Sequence, residues 1–235
     1  MASAPKAVCK FPGIANVLPI IYNNKLPCPL PVTFIVSKTA IPLVKQAHTI
    51  IHSYLKPGDT AIDATVGNGH DTVFLLDLIA PGGTVFGFDI QQQAINKTRE
   101  LIDRQPHAEC ARLIHADHAH MPEHIPQNYH GKISAVMFNL GYLPGSDKQI
   151  ITKTESTIAA LKSACRLLTA NGVITVLVYP GHSGGDTEAE HVQQWCERLN
   201  REQYHCQLII NTSAKTSAPR LYVIKKTGMT KAVEY

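Results

Sequence analysis

The chain has 235 residues, 44% hydrophobic and 17% charged, with a formal net charge of +4. That is enough for one ordinary α/β domain with a full core, and no apolar run approaches the roughly 20 residues of a membrane span, "GIANVLPII" being the longest candidate near the start. Six cysteines (9, 28, 110, 165, 196 and 206) form no C-x-x-C pair, which leaves zinc-ribbon and thiol-redox readings without support and predicts reduced thiols in a cytosol-like compartment.

The front of the chain holds the excess charge. Residues 1–58 carry six lysines and no acid, whereas the remainder has 16 basic against 18 acidic side chains. Six of the first 31 residues are proline (5, 12, 19, 27, 29 and 31), which suits neither helix nor strand interior. Residues 1–35 therefore read as an extended, basic extension ahead of a domain over 36–228, with a short tail over 229–235. The extension could follow a phosphate backbone, act as a transit peptide or have no role, and its lack of Arg counts against the transit reading.

From residue 38 the pattern is regular. "KTAIPLVKQAHTIIHSYL" places Ile41, Val44, His48, Ile51, His52 and Leu55 on one helical face, and "KPGD" then turns the chain into a strand over 60–65. The periodicity next predicts a helix over 70–80, a strand over 84–89, a helix over 91–103 and a strand over 111–115. A polar loop leads to a strand over 133–138, a helix over 154–168, a strand over 172–179 and a helix over 186–199. Strands over 205–211 and 220–225 close the chain. Alternation with fully apolar runs such as "AVMF" and "VITVLVY" predicts a mostly parallel sheet covered by helices on both faces, its last strand antiparallel.

In such a sheet, ligands bind beyond the carboxyl ends of the strands where the strand order reverses. "IDATVGNGHDT" falls at that junction. Gly67 and Gly69 allow a tight turn and close backbone approach, and Asp71 and Thr72 are candidates to cap the following helix. Asp89 ends the next strand, 20 residues after Gly69, where an acid commonly accepts ribose hydroxyls. Together these residues predict an adenosine-bearing ligand. Thr72 stands where a dinucleotide fingerprint wants a third small residue, and the Gly-Lys-Ser/Thr of a P-loop is absent.

The order Asp63, Gly67, Gly69, Asp89, then Asp117 after the third strand of this series resembles class I S-adenosylmethionine-dependent methyltransferases. The resemblance implies that the first loop faces the methionine part, Asp89 holds the ribose, and the loop at Asp117 meets the adenine. Asn68, Asp71, Gln91 and His118 are then supporting contacts. "FNLGYLPGSDK" resembles the Asn-Pro-Pro-Tyr segment of amino-group methyltransferases with both prolines replaced, at Asn139, Leu140, Gly141 and Tyr142. By that likeness Asn139 accepts hydrogen bonds from the target amine and Tyr142 packs on the base. A structural turn is the alternative.

"DATVGNGHDTVFL", "GFDIQQQAI", "FNLGYLPGSDK" with "TKTESTIAAL", and "VLVYPGHSGGDTEAE" occur in that order and resemble the bacterial tRNA wobble-uridine 5-aminomethyl methyltransferases, first labelled rRNA methylases. The resemblance implies methylation of the amine of 5-aminomethyl-2-thiouridine in a tRNA anticodon loop by a cytoplasmic homodimer, or an organellar one if residues 1–35 are a transit peptide. An rRNA or small-amine methyltransferase and a non-catalytic nucleotide-binding module are the alternatives. His115, His118, His120 and His124 lack a metal-ligand spacing on an established helix, so no metal is expected. His182, Lys148 and Lys153 are further substrate-side candidates, and Asp186 either borders the substrate opening beside His182 or caps the helix that follows.

Overall fold

The computed structural model describes residues 32–37, 41–141, 152–181, 184–211 and 217–228. Eight strands form one sheet: β1 (Val32–Ser37), β2 (Thr60–Asp63), β3 (Thr84–Asp89), β4 (Ala111–His115), β5 (Ile133–Asn139), β6 (Leu168–Val178), β7 (Tyr204–Asn211) and β8 (Arg220–Lys226). The helices are α1 (Leu43–His52), α2 (His70–Ile79), α3 (Gln92–Ile102), α4 (Met121–His124), α5 (Thr154–Leu167) and α6 (Gly185–Glu197). The strand order is β1-β7-β8-β6-β5-β2-β3-β4. Every neighbouring pair is parallel except those made by β8, which runs antiparallel to β6 and β7. Among the described residues no helix is long and apolar enough to cross a membrane.

Both faces of the sheet are dry, as the unbroken apolar strands require. Along β5, Ala135 and Met137 join Ile51 of α1, Leu75, Leu76 and Ile79 of α2 and Ile102 of α3 on one face. Val136 and Phe138 join Leu161 and Ala164 of α5 and Val192 of α6 on the other. This two-residue alternation decides which way the strand-end side chains point. Asp63 and Asn139, two residues beyond Ala61 and Met137, emerge on the α1–α2 face.

The expected elements recur with some differences, the first being the short helix α4 in the stretch expected as a polar loop. Strand β1 has no counterpart among the expected elements. It pairs along β7, from Val32 with Cys206 to Ser37 with Asn211, and so carries regular structure across the 35/36 boundary drawn between extension and domain. A six-residue edge strand after three prolines has no alternation long enough to stand out.

Helix α1 begins at Leu43, because Pro42 occupies its N-cap and a proline disfavours helical geometry in the residue before it. Its buried face is Leu43, Ala47, Ile50 and Ile51, so the expected stripe is turned: Ile41 is 49% exposed and His52 is exposed. Strand β6 starts at Leu168, directly after α5, and a register shift against β5 between Ile133 and Ala135 accompanies the left-handed turn at Asn171, φ 63°. Finally, neither Asp71 nor Thr72 caps α2. Its N-cap is Gly69, with no side-chain cap bond, and both polar side chains turn toward the sheet instead.

Candidate active site

Strand order reverses between β2 and β5, which leave the sheet side by side. From β2 the chain proceeds outward through β3 to β4, then returns to the other side of β2 as β5. The carboxyl ends of these strands carry the residues that the sequence singled out.

Asp63 ends β2 and is fully buried. Its Oδ1 accepts from the Thr65 amide at 3.1 Å and its Oδ2 from the Thr72 hydroxyl at 2.6 Å. Burial first, then the neighbouring Asp71 carboxylate, pushes the Asp63 carboxyl up to about 7 despite these donors. Asp89 sits at the end of β3, where its Oδ2 accepts from the Gly67 amide and its Oδ1 from the Gln91 amide, each at 2.9 Å. One carboxylate therefore holds the loop after β2 against the loop after β3. Two bonds leave an ionised carboxylate with spare acceptor capacity, which fits a ribose diol.

Gly69 at φ 82° turns the loop into α2, and Thr98 of α3 donates through Oγ1 to the Gly67 carbonyl at 3.3 Å. Lys97 donates to Asn68 Oδ1 at 2.7 Å. Asn68, Gly69 and Gln91 thus lie beside Gly67 and Asp89.

Asp117 and His118 follow β4. Asp117 Oδ1 accepts from the Ala119 amide at 2.8 Å and from the Ser156 hydroxyl, tying this turn to α5. Burial pushes its carboxyl up, but those donors and the flanking histidines outweigh it and hold the group below the usual carboxylate range. His118 is 7% exposed, its Nδ1 donates to the Ala64 carbonyl at 2.9 Å, and its ring meets Phe138 edge-on. Burial holds the imidazole below the ordinary histidine range, and the ring packs against the loop after β2. Among the described residues no group of three or more metal-capable side chains occurs.

Asn139 ends β5. The Thr65 hydroxyl accepts from its backbone amide at 2.7 Å, and its side-chain Nδ2 donates to Asp71 Oδ2. Asp71 Oδ1 meets His48 Nε2 of α1 at 2.6 Å. Leu140 is buried, with its amide bonded to the Leu177 carbonyl. The Gly141 amide donates to Thr152 Oγ1 at 3.0 Å, and Thr152 in turn donates to Glu188 Oε2 at 2.7 Å. Lys153 is the N-cap residue of α5. Asp186 accepts from the Gly181 amide at 3.1 Å from within the first turn of α6, whose N-cap is Gly184 rather than Asp186. Tyr142, Lys148 and His182 lie outside the described residues.

Three residues of this neighbourhood carried no signal of their own. The helical periodicity puts His48 on an apolar stripe, yet it reaches the site. Glu188, 4% exposed, accepts from both Thr152 and Thr157 and anchors the return of the chain from the loop after β5. Tyr179 follows β6, is 37% exposed, and lies on the face of β6 shared with Leu177. Burial pushes its phenol up, with the Asp71 carboxylate adding to the effect.

With this geometry in view, the relatives are informative. A family model described as "Putative rRNA methylase" matches residues 85–225. The chain belongs to that family. It is 38% identical to a "putative rRNA-methylase" from Clostridium thermocellum, with a TM-score of 0.76 over 80% of this chain and 99% of that one. A "putative methyltransferase" from Streptococcus mutans, solved in complex with SAH, is 31% identical with a TM-score of 0.71 over the same shares. An Arabidopsis thaliana protein named "tRNA (mnm(5)s(2)U34)-methyltransferase, chloroplastic" is 40% identical over 168 residues, 68% of this chain. The chain spans 61% of the length of that curated relative. The Rossmann-like methyltransferase sheet expected from the sequence is the fold that this family has.

Proposed function

We infer that this family member transfers a methyl group from S-adenosylmethionine to the primary amine of 5-aminomethyl-(2-thio)uridine at the wobble position of tRNA. The observation that carries the reading is the meeting of two sites at one switch point: the Asp89-bridged glycine loop after β2, and the Asn139 amide held on Asp71 beside it. The names of the Arabidopsis and Streptococcus mutans relatives support the tRNA substrate and the cofactor respectively.

When bound, the cofactor supplies an electrophilic methyl on a sulfonium. The residues Asp63, Gly67, Asn68, Gly69, Asp71, Asp89, Gln91, Asp117 and His118 form or support the crevice that would hold it. Asp89 is suited to the ribose, since its two loop bonds leave acceptor positions over. Asp63, its carboxyl raised to about 7, braces the loop through Thr65 and Thr72. On the substrate side the tasks are to aim an amine lone pair in line with the methyl and to bind the amine unprotonated. Asn139 is placed for the first task, its amide oxygen accepting an amine N–H. Tyr142, Leu140, Gly141, Lys148, Lys153 and His182 belong to the substrate side of the same reading. A homodimeric state belongs to it too, as does an organellar address for residues 1–35, which the chloroplastic relative supports.

The test is the tRNA nucleoside profile of cells lacking the gene, by mass spectrometry. The expected result is accumulation of unmethylated 5-aminomethyl-2-thiouridine, restored by the wild-type gene but not by Asn139→Ala. An unchanged tRNA profile with a methyl group missing from rRNA would transfer the reading to the rRNA substrate.

A further inference from the structure

Helix α1 contributes one polar side chain to the carboxyl end of the sheet. His48 lies with its ring flat against Phe74 of α2, centroids 3.9 Å apart and planes 6° apart. Its Nε2 is 2.6 Å from Asp71 Oδ1, with the His48 and Asp71 side chains 17% and 10% exposed. The other oxygen of Asp71 accepts from Asn139 Nδ2. Three elements, α1, α2 and β5, are thus linked through one carboxylate.

We propose that His48 and Asp71 are positioning residues that set the orientation of the Asn139 amide, and through it the direction from which the target amine approaches. This rests on the methyltransferase reading above.

An asparagine amide has two nearly isosteric orientations, and its surroundings choose between them. An ionised carboxylate only accepts hydrogen bonds, so beside Asp71 the nitrogen must face inward and the oxygen must face away. In the reverse orientation a carbonyl oxygen would meet a carboxylate oxygen. No donor among the described residues bonds to Asn139 Oδ1, which leaves that oxygen to accept an N–H from an amine at the end of β5. The Thr65 hydroxyl fixes the backbone of Asn139 from the opposite side.

Asp71 can act in this way only while its own carboxylate is fixed. It sits in the first turn of α2 with no bond to a helix-cap amide, so His48 supplies its second partner. Phe74, one turn further along α2, sets the plane of the imidazole. Neither His48 nor Asp71 needs to touch the substrate. Both act through Asn139.

The experiment compares His48→Leu, His48→Gln and Asp71→Asn with wild type in three readings: kcat and KM on tRNA bearing 5-aminomethyl-2-thiouridine, affinity for S-adenosylhomocysteine, and the NMR signal of the Asn139 side-chain amide. His48→Gln keeps a donor toward Asp71, while His48→Leu fills the space without one. A misaimed acceptor should lower kcat about ten- to hundredfold, with the S-adenosylhomocysteine affinity of the two His48 variants within about twofold of wild type. The expected order is a large loss in His48→Leu and Asp71→Asn and recovery of most of the rate in His48→Gln, with the Asn139 amide signal moving in parallel. An unmoved amide signal in His48→Leu would overturn the proposal, as would equal loss of rate and of S-adenosylhomocysteine affinity, which makes the pair part of the cofactor pocket. Wild-type protein that transfers no methyl to this tRNA, yet shows the amide signal shifting in His48→Leu, would overturn the substrate reading and not the geometry.

Discussion

Replacing Gly69 by alanine tests whether the loop after β2 is locked against α3. Two costs add. Gly69 has φ 82° and ψ 2°, a left-handed conformation that costs a residue with a Cβ about 1–2 kcal/mol. The new Cβ would lie 2.7 Å from Thr98 Oγ1 and 2.8 Å from Thr98 Cγ2, well inside the ~3.5 Å at which carbon contacts become favourable. Thr98 is fully buried, so it cannot swing outward, and overpacking of this kind costs about 1–3 kcal/mol. Gly69→Ala should therefore destabilise the protein by about 2–5 kcal/mol in urea unfolding followed by circular dichroism. The partition can be checked with Thr98→Ala, which removes the two closest atoms and leaves the left-handed strain with only the milder 3.1 Å approach to Cβ. Gly69→Ala made in that background should cost only about 1–2 kcal/mol, giving a coupling energy of about 1–3 kcal/mol in the double-mutant cycle. A coupling near zero would refute the close packing of the loop on α3. A loss below about 0.5 kcal/mol in the single variant would refute the left-handed turn as well.

Asp89→Ala should weaken S-adenosylmethionine binding by about 1.5–3 kcal/mol in calorimetry, since the Gly67 and Gln91 amides lose their shared acceptor together with the ribose partner; comparable tight binding of NAD would contradict the cofactor assignment. Asp63 gives a pH dependence with a definite sign. Its carboxyl is raised from 3.8 to about 7 in the fold, so the unfolded chain releases its proton first and the contribution to stability, full below about pH 4, is lost as pH rises through about 7. Asp63→Asn should flatten the fall of the urea midpoint across that window, and equal slopes in both proteins would exclude Asp63 as its source.

Much of this architecture could be read ahead of the structure because periodicity and punctuation agreed. Apolar strands bounded by "KPGD" and "APGG", and glycines at the β2–α2 junction, left little freedom of topology. Within the site, the carboxylates at strand ends were legible because acids are rare at the end of a buried strand. Their partners were not. His48 sits in a helix whose apolar residues are spaced so that either of two neighbouring faces could be the buried one, and only the packing of Leu43, Ala47 and Ile50 chooses. The rotation by roughly one residue, about 100°, brings His48 beside the edge of that face and over Phe74. Asp71 and Thr72 fit a helix-capping pattern by composition, yet both point at the sheet, where Asn139 and Asp63 compete for them from across 68 and 9 residues of chain. Glu188 had no local signature at all, since its role depends on Thr152 and Thr157 from another helix and its leading loop.

The most direct measurement is methyl transfer by the purified protein. S-adenosylmethionine labelled in its methyl group is incubated with tRNA isolated from cells that stop at 5-aminomethyl-2-thiouridine, and the nucleosides are separated by mass spectrometry. The account predicts label on the exocyclic amine of the wobble nucleoside, abolished by Asn139→Ala while S-adenosylhomocysteine binding persists. Label in rRNA alone, or no transfer to tRNA by a protein that binds S-adenosylmethionine, would contradict it.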